Sequence, residues 1–330
     1  MAAETTERPD ATTRVSARAP RALRAIFIAN LAAQIGIVVT GGIVRLTGSG
    51  LGCPTWPECV EGSYVPTSRQ EEAWHKYVEF GNRLLTFVLA ALAIAAIVGA
   101  FTWWRRQRRS GGVARGPVLA LAAIPLVGTV VQAVLGGITV LTGLNPWAVA
   151  AHFLVSIAII GGCVVLVVRS GEPGDLPVTR LVRPEVRLLA WALLVVTAVV
   201  VVLGVIVTGS GPHSGDAETE ARFGVDPRTI AWLHADAVLL FLGLTVGLLV
   251  ALRVTHAPGR AMRTTLTLLL VSLAQGLIGY AQYFTGLPWV LVAVHMLGAC
   301  LVWMLAVFVV LSMRTRGPLT TTSPDAVSRQ

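Results

Sequence analysis

The sequence contains six histidines, and three of them, His152, His234 and His295, fall inside long apolar runs. Two of the three close a stretch that occurs twice. Residues 132–152 read QAVLGGITVLTGLNPWAVAAH and residues 275–295 read QGLIGYAQYFTGLPWVLVAVH. In each copy a Gln (Gln132, Gln275) leads by ten residues to Thr-Gly-Leu (Thr142, Thr285), and ten more lead to the His. A repeat that ends on an imidazole is a candidate metal site. Counted from the outer ends of their spans, all three imidazoles lie one to two turns in, roughly 7 to 10 Å at ~1.5 Å per residue. A single membrane histidine is often hydrogen-bonded packing, and a proton relay through several such groups is an alternative. A common depth and a duplicated position favour metal ligation, above all axial ligation of heme iron in a helical bundle. Gly136, Gly137, Gly276, Gly279 and Gly298 would leave room for a flat macrocycle, or else for close helix packing.

A second group opens the second span, in WHKYVEFGNRLLTF: His75, Glu79, Asn82 and Arg83. The spacings of four and three put His75, Glu79 and Asn82 along one helical face. Ionisable groups at a membrane edge are functional candidates because burying them is costly. The end of the first span, GGIVRLTGSG, matches GVIVTGSG at the end of the fifth, with Thr47–Gly50 equivalent to Thr208–Gly211. Counting on from Gly50 and Gly211, each first-half segment is nine residues longer, and Asn82 falls at the position of His234. The second half thus offers two imidazoles, His234 and His295. The first offers His152, the Asn82 amide and the nearby Glu79 carboxylate, a half-open site suited to a substrate. Arg45 and Arg83 at the outer mouth could pair with anionic heme propionates.

Cys53 and Cys59 lie in the outer-loop sequence GLGCPTWPEC. Outside the cytoplasm they can persist as a disulfide, structural or redox-active, and their spacing makes a poor zinc site. Cys163 and Cys300 read as small core residues. His213 and His256 read as solvated loop residues.

These residues must be carried by membrane helices. The chain is 55% hydrophobic and 13% charged, with a mean hydropathy of +0.73, which excludes an ordinary soluble domain. Eight apolar runs, near 25–44, 84–104, 117–140, 147–168, 188–209, 229–252, 264–284 and 288–312, approach the ~20 residues needed to span a bilayer. A net charge of +9 raises nucleic acid as a partner, but 20 of the 26 basic residues fall in the segments that are inside when the N-terminus is inside. The positive-inside rule explains that asymmetry and puts both termini in the cytoplasm. The expected architecture is all-α, two like four-helix bundles. Residues 1–24 form a disordered tail, 25–168 the first half with the substrate site, 169–187 a cytoplasmic linker, 188–313 the second half, and 314–330 a second tail. The leader lacks a cleavable signal's short apolar core. Cleavage of the first run would instead leave seven spans.

With the cysteine pair in GLGCPTWPEC, the Glu79-to-Arg83 segment and one His each in helices four, six and eight, residues 25–312 resemble heme A synthase, the membrane oxidase that converts heme O to heme A. The resemblance implies oxidation of the C8 methyl of heme O to a formyl group, through an alcohol, with water as oxygen source. It implies a permanent heme b on His234 and His295, an essential acid at Glu79, and substrate-heme ligation by His152 and the residue at position 82. The family has His where this chain has Asn82, so the expectation here is five-coordinate or weakly six-coordinate iron on His152. His75 lies seven residues before Asn82, ~10 Å along the helix. No second cysteine pair follows helix five. The implied partners are heme O, heme A, the farnesyltransferase that makes heme O, an electron acceptor and the bilayer, with a homo-oligomer compatible. Arg occurs 25 times and Lys once, and acids interrupt the leader, which points to a bacterial plasma membrane. A diheme electron carrier and a heme- or proton-coupled transporter are the alternatives.

Overall fold

A computed structural model describes residues 18–68, 70–110, 115–174, 177–213, 215–216 and 221–316. Among the described residues the protein is all-α apart from one two-residue strand pair. Its helices are α1 (Arg21–Leu46), α2 (His75–Arg109), α3 (Gly116–Ala122), α4 (Ile124–Leu141), α5 (Pro146–Gly171), α6 (Pro184–Ser210), α7 (Pro227–Val254), α8 (Gly259–Phe284) and α9 (Trp289–Ser312). Taking α3 and α4 as one interrupted span, eight segments among the described residues are long and apolar enough to cross a membrane.

The interruption falls at Ala123, two residues before Pro125. Proline has no N–H for the i−4 carbonyl, and its ring crowds the residue before it, so the expected continuous run 117–140 breaks there. Helix starts follow local chemistry as well. Prolines occupy the first turn of α4, α5, α6 and α7, where no donor is lost. The Asn145 and Asp226 side chains accept from Trp147 N and Thr229 N to cap α5 and α7.

The repeated Thr-Gly-Leu is a helix stop. Gly143 and Gly286 have φ of 59° and 78°, and the following Leu144 and Leu287 have 58° and 59°. Leu144 N donates to Thr139 O and Leu287 N to Gln282 O, each at 2.8 Å, which closes the last turn through left-handed residues. The Thr142 and Thr285 hydroxyls each donate one turn back, to Ile138 O and Ala281 O, at 2.7 Å. Both copies therefore turn the chain tightly into the helix that carries the histidine.

Helix α1 packs on α2 and α5, and α4 on α2 and α5; α6 packs on α7 and α9, and α8 on α7 and α9. Helices α1 and α5 meet α9, and α5 meets α6. At that junction Leu31, Ile35, Ile160 and Val307 bury the two free cysteines, Cys163 and Cys300, as expected of core residues. Outward faces are apolar, with Phe87, Leu188 and Leu277 all about 70% exposed, which suits lipid and would be a liability in water.

The ends are more ordered than the sequence suggested. Helix α1 begins at Arg21, inside the stretch read as a tail, and Ala19 N donates to Ser170 O at 3.1 Å. Strand β1 (Thr179–Arg180), in the linker, pairs antiparallel with β2 (Arg314–Thr315), at the start of the second tail. The remainder of both expected tails, 1–17 and 317–330, lies outside the described residues.

Candidate heme site

Each of the four candidate ligand positions lies against a glycine of the preceding helix. A Cβ built on Gly136 (α4) would be 3.5 Å from His152 Cε1 (α5), on Gly204 (α6) 3.3 Å from His234 Cε1 (α7), and on Gly279 (α8) 3.2 Å from His295 Cε1 (α9). A Cβ on Gly41 (α1) would be 3.7 Å from Asn82 Nδ2 (α2). Gly41 begins GGIV and Gly204 begins GVIV, so the contacts themselves equate Asn82 with His234 once Arg45 and Leu46 are counted as a two-residue insertion. All three histidines are half-buried, and the Nδ1 of each is buried with no hydrogen-bond partner. The His234 ring lies within reach of the Val200 carbonyl and the His295 ring within reach of the Gln275 carbonyl, without forming a full hydrogen bond. Each of these carbonyls is one turn before the facing glycine.

The repeated glutamines join the helices of each pair. Gln132 Nε2 donates to His152 O at 2.9 Å and Gln275 Nε2 to His295 O at 2.6 Å. Gln132 also bonds Ser156, and the side-chain carbonyls of both glutamines are buried without partners. Two glycines expected to make room for a macrocycle serve other side chains. A Cβ on Gly298 would fall 1.9 Å from Gln275 Oε1, and one on Gly137 would fall 2.4 Å from Trp56 Cδ2. Gly276 has open space. Only Gly136 and Gly279 of the five face a histidine.

Helix α2 starts at His75, nine residues ahead of its apolar run, and so carries Glu79, Asn82 and Arg83 as helical residues. Glu79 is 6% exposed. Its Oε2 accepts from Cys53 N at 2.7 Å, and its Oε1 accepts from Arg83 Nε and Nη2 at 3.0 and 2.6 Å. Arg83 also donates to the carbonyls of Cys53, Thr55 and Glu58. Cys53 and Cys59 form a disulfide and are fully buried. The Glu79–Arg83 pair thus clamps the disulfide loop, whose Trp56 lies on Gly137 of α4. Arg83 has most of its donors in this loop.

His75 points elsewhere: Ser49 Oγ lies 2.8 Å from its Nδ1, and Trp74 stacks on the ring. Asn82 Oδ1 accepts from Thr40 Oγ1 at 2.8 Å, which fixes the amide and turns Nδ2 toward Gly41. Arg45 donates to the carbonyls of His213 at 2.9 Å and Thr208 at 3.3 Å. His213 is not a solvated loop residue: it is half-buried, with Nε2 3.0 Å from Leu287 O, because the loop after α6 is drawn against the α8–α9 turn. His256 is exposed as expected. The sequence reading missed Thr40, Ser49 and Trp56. Only the TGSG match pointed toward Ser49, and no local pattern marked the other two.

Fold and site together define a polytopic helical membrane protein with three imidazoles and one amide at equivalent helix positions. Residues 24–213 match the cytochrome oxidase assembly protein family, and the chain belongs to this family, that of heme A synthase. Among similar proteins, heme A synthase of Geobacillus kaustophilus is 32% identical over 117 residues, 35% of this chain and 32% of the relative. The match therefore spans about a third of that relative's length. Heme A synthase of Symbiobacterium thermophilum is 31% identical over 198 residues, 58% of this chain and 60% of the relative. That of Rhizobium johnstonii is 26% identical over 333 aligned positions, 87% of this chain and 88% of the relative.

Proposed function

We propose that this protein oxidises the C8 methyl group of heme O to a formyl group, giving heme A for a terminal cytochrome oxidase. The observation that carries the reading is the broken equivalence of the four glycine-facing positions: imidazoles at His234 and His295, but an imidazole and an amide at His152 and Asn82. The fit to heme rests on the three unpartnered Nδ1 atoms and on the glycines beside the rings. His234 and His295 would hold a resident heme b, which when bound supplies a one-electron redox centre that changes state with little ligand rearrangement. His152 would ligate the substrate heme, and Asn82, a poor iron ligand, leaves the opposite side exchangeable.

Oxidising a methyl group to a formyl group takes one water and releases four electrons and four protons. The chain's own contribution is a place for protons and for positive charge near the reacting carbon. Glu79 is the group of the right chemistry, a buried carboxylate held in place by Arg83 and the Cys53 N–H. The Trp56 indole rests on Gly137 and so ties this loop to α4. Arg45 and Arg83, at the outer mouth, are the candidates for the propionates, each already donating to backbone carbonyls. The disulfide is a structural brace in this reading. Two like four-helix bundles are supported by the helix pairings of each half, and cytoplasmic termini by the arginine distribution and the even number of spans. A bacterial plasma membrane is supported by bacterial relatives. The farnesyltransferase that makes heme O is the proposed donor, and the electron acceptor and any homo-oligomer belong to the same proposal. A diheme electron carrier would want a second imidazole where Thr40 instead holds Asn82.

The test is conversion. Membranes carrying the protein are supplied with heme O, and hemes are extracted, separated and weighed by mass spectrometry. Heme A is expected from the wild type and little from Glu79→Gln with heme binding retained. No heme A from the wild type would overturn the proposal.

A further inference from the structure

The end of the molecule opposite the histidines carries a cavity of about 310 Å³ lined by Arg18, Arg24, Arg260 and Arg314, with Glu172 as its acid. It lies roughly 25 Å from His295, counting seventeen residues along α9 to Ser312 at ~1.5 Å each, and the heme chemistry does not use it. Glu172 is already shared: Arg169 bonds it, and Arg316 and Arg314 approach it at 3.6 and 3.8 Å. Arg24 Nε is buried without a hydrogen-bond partner. Gly171 accommodates its guanidinium, since a Cβ there would lie 3.0 Å from Nη2. Val167, Val168 and Phe308 form an apolar wall beside the arginines. The site joins the start of α1 and the end of α5 to the start of α8 and the strand after α9, so it bridges the two halves where the helices leave the apolar layer.

We propose that this cavity binds the phosphate headgroup of an anionic phospholipid from the inner leaflet, with an acyl chain along the Val167–Phe308 wall. Four guanidiniums against one shared carboxylate leave positive charge for an anion, and guanidinium forks match phosphate oxygens. The neighbouring apolar wall selects an amphiphile over a free ion. Burial holds Arg314 below the usual arginine range; Glu172 opposes this, while Arg316, Arg169 and Arg260 add to it. An arriving phosphate would relieve that crowding.

The experiment uses the full-length protein in neutral detergent, titrated separately with phosphatidylglycerol, phosphatidylcholine and inorganic phosphate. Retained lipid is read by native mass spectrometry and thermal unfolding is followed in parallel. Phosphatidylglycerol should bind saturably and raise the midpoint, and the other two should not. Each arginine removed should weaken binding about fivefold, and a pair on the order of twentyfold. The pair Arg24→Gln and Arg314→Gln tests the buried side of the cavity. Arg18→Gln with Arg260→Gln replaces exposed side chains and keeps the test open if the first pair misfolds. Arg105→Gln, on the far end of α2, is the control and should bind as the wild type does. Equal stabilisation by inorganic phosphate, equal binding of phosphatidylcholine, or unchanged phosphatidylglycerol binding in the Arg18/Arg260 variant would overturn the assignment.

Discussion

The Glu79 carboxylate accepts the backbone N–H of Cys53 at 2.7 Å while Arg83 holds its other oxygen. One side chain therefore ties the disulfide loop to the helix that also carries Asn82. Removing it leaves the buried Cys53 N–H and the Arg83 Nε without their acceptor, while Arg83 Nη2 keeps the Cys53 and Thr55 carbonyls. The expected cost of Glu79→Ala is on the order of 2 to 4 kcal/mol, because an orphaned buried donor loses more than a hydrogen bond's net worth. The Cys53–Cys59 disulfide should then be reduced faster by a small thiol, as followed by alkylation and mass shift. An unchanged reduction rate in Glu79→Ala would show that the loop holds itself.

The glycine facing each histidine sets how much room the ring has. At Gly279 a Cβ meets His295 at 3.2 Å, tighter than the 3.5 Å between Gly136 and His152. Gly279→Val should displace the imidazole and weaken heme retention at least tenfold, whereas Gly136→Ala should be nearly silent. Heme content after purification, measured against protein, compares the two. Equal retention in both variants would mean that the glycines only let the helices approach.

Asn82 is held by Thr40 and faces Gly41, where a Cβ would lie 3.7 Å from its Nδ2, an ordinary contact distance. Asn82→His should fit there and create a second imidazole pair with His152. The expected result is a new low-spin heme signal in protein loaded with heme O, with slower conversion to heme A because the exchangeable side is closed. The absence of any new low-spin signal would argue that positions 82 and 152 do not address the same macrocycle.

Much of this was legible in the sequence, for physical reasons. The spans are visible because a bilayer demands long apolar runs, and the Thr-Gly-Leu turns, the glutamines and His152 and His295 are visible because a duplication wrote them twice. The equivalence of Asn82 with His234 came from residue counting, and the glycine contacts give it a geometric basis. What was not legible depends on where loops land. Nothing local to Trp56 says that its indole will rest on Gly137, and nothing in GGIVRLTGSG says that Arg45 will reach the His213 carbonyl. Gly298 admits both readings, a macrocycle or close packing, because a gap in a helix surface looks the same in sequence whether a cofactor or the Gln275 amide fills it. The break at Ala123 could have been anticipated from Pro125, whose missing N–H outweighs the hydropathy of the run.

The central claim is that the two halves bind heme unequally, and ligand spectroscopy on purified protein tests it most directly. Electron paramagnetic resonance and near-infrared magnetic circular dichroism distinguish a bis-imidazole heme from other coordination. In protein prepared without heme O, one low-spin bis-imidazole heme b per chain is predicted. That signal should disappear in His234→Ala and in His295→Ala and persist in His152→Ala. A bis-imidazole signal that survives His295→Ala but is lost in His152→Ala would contradict the account.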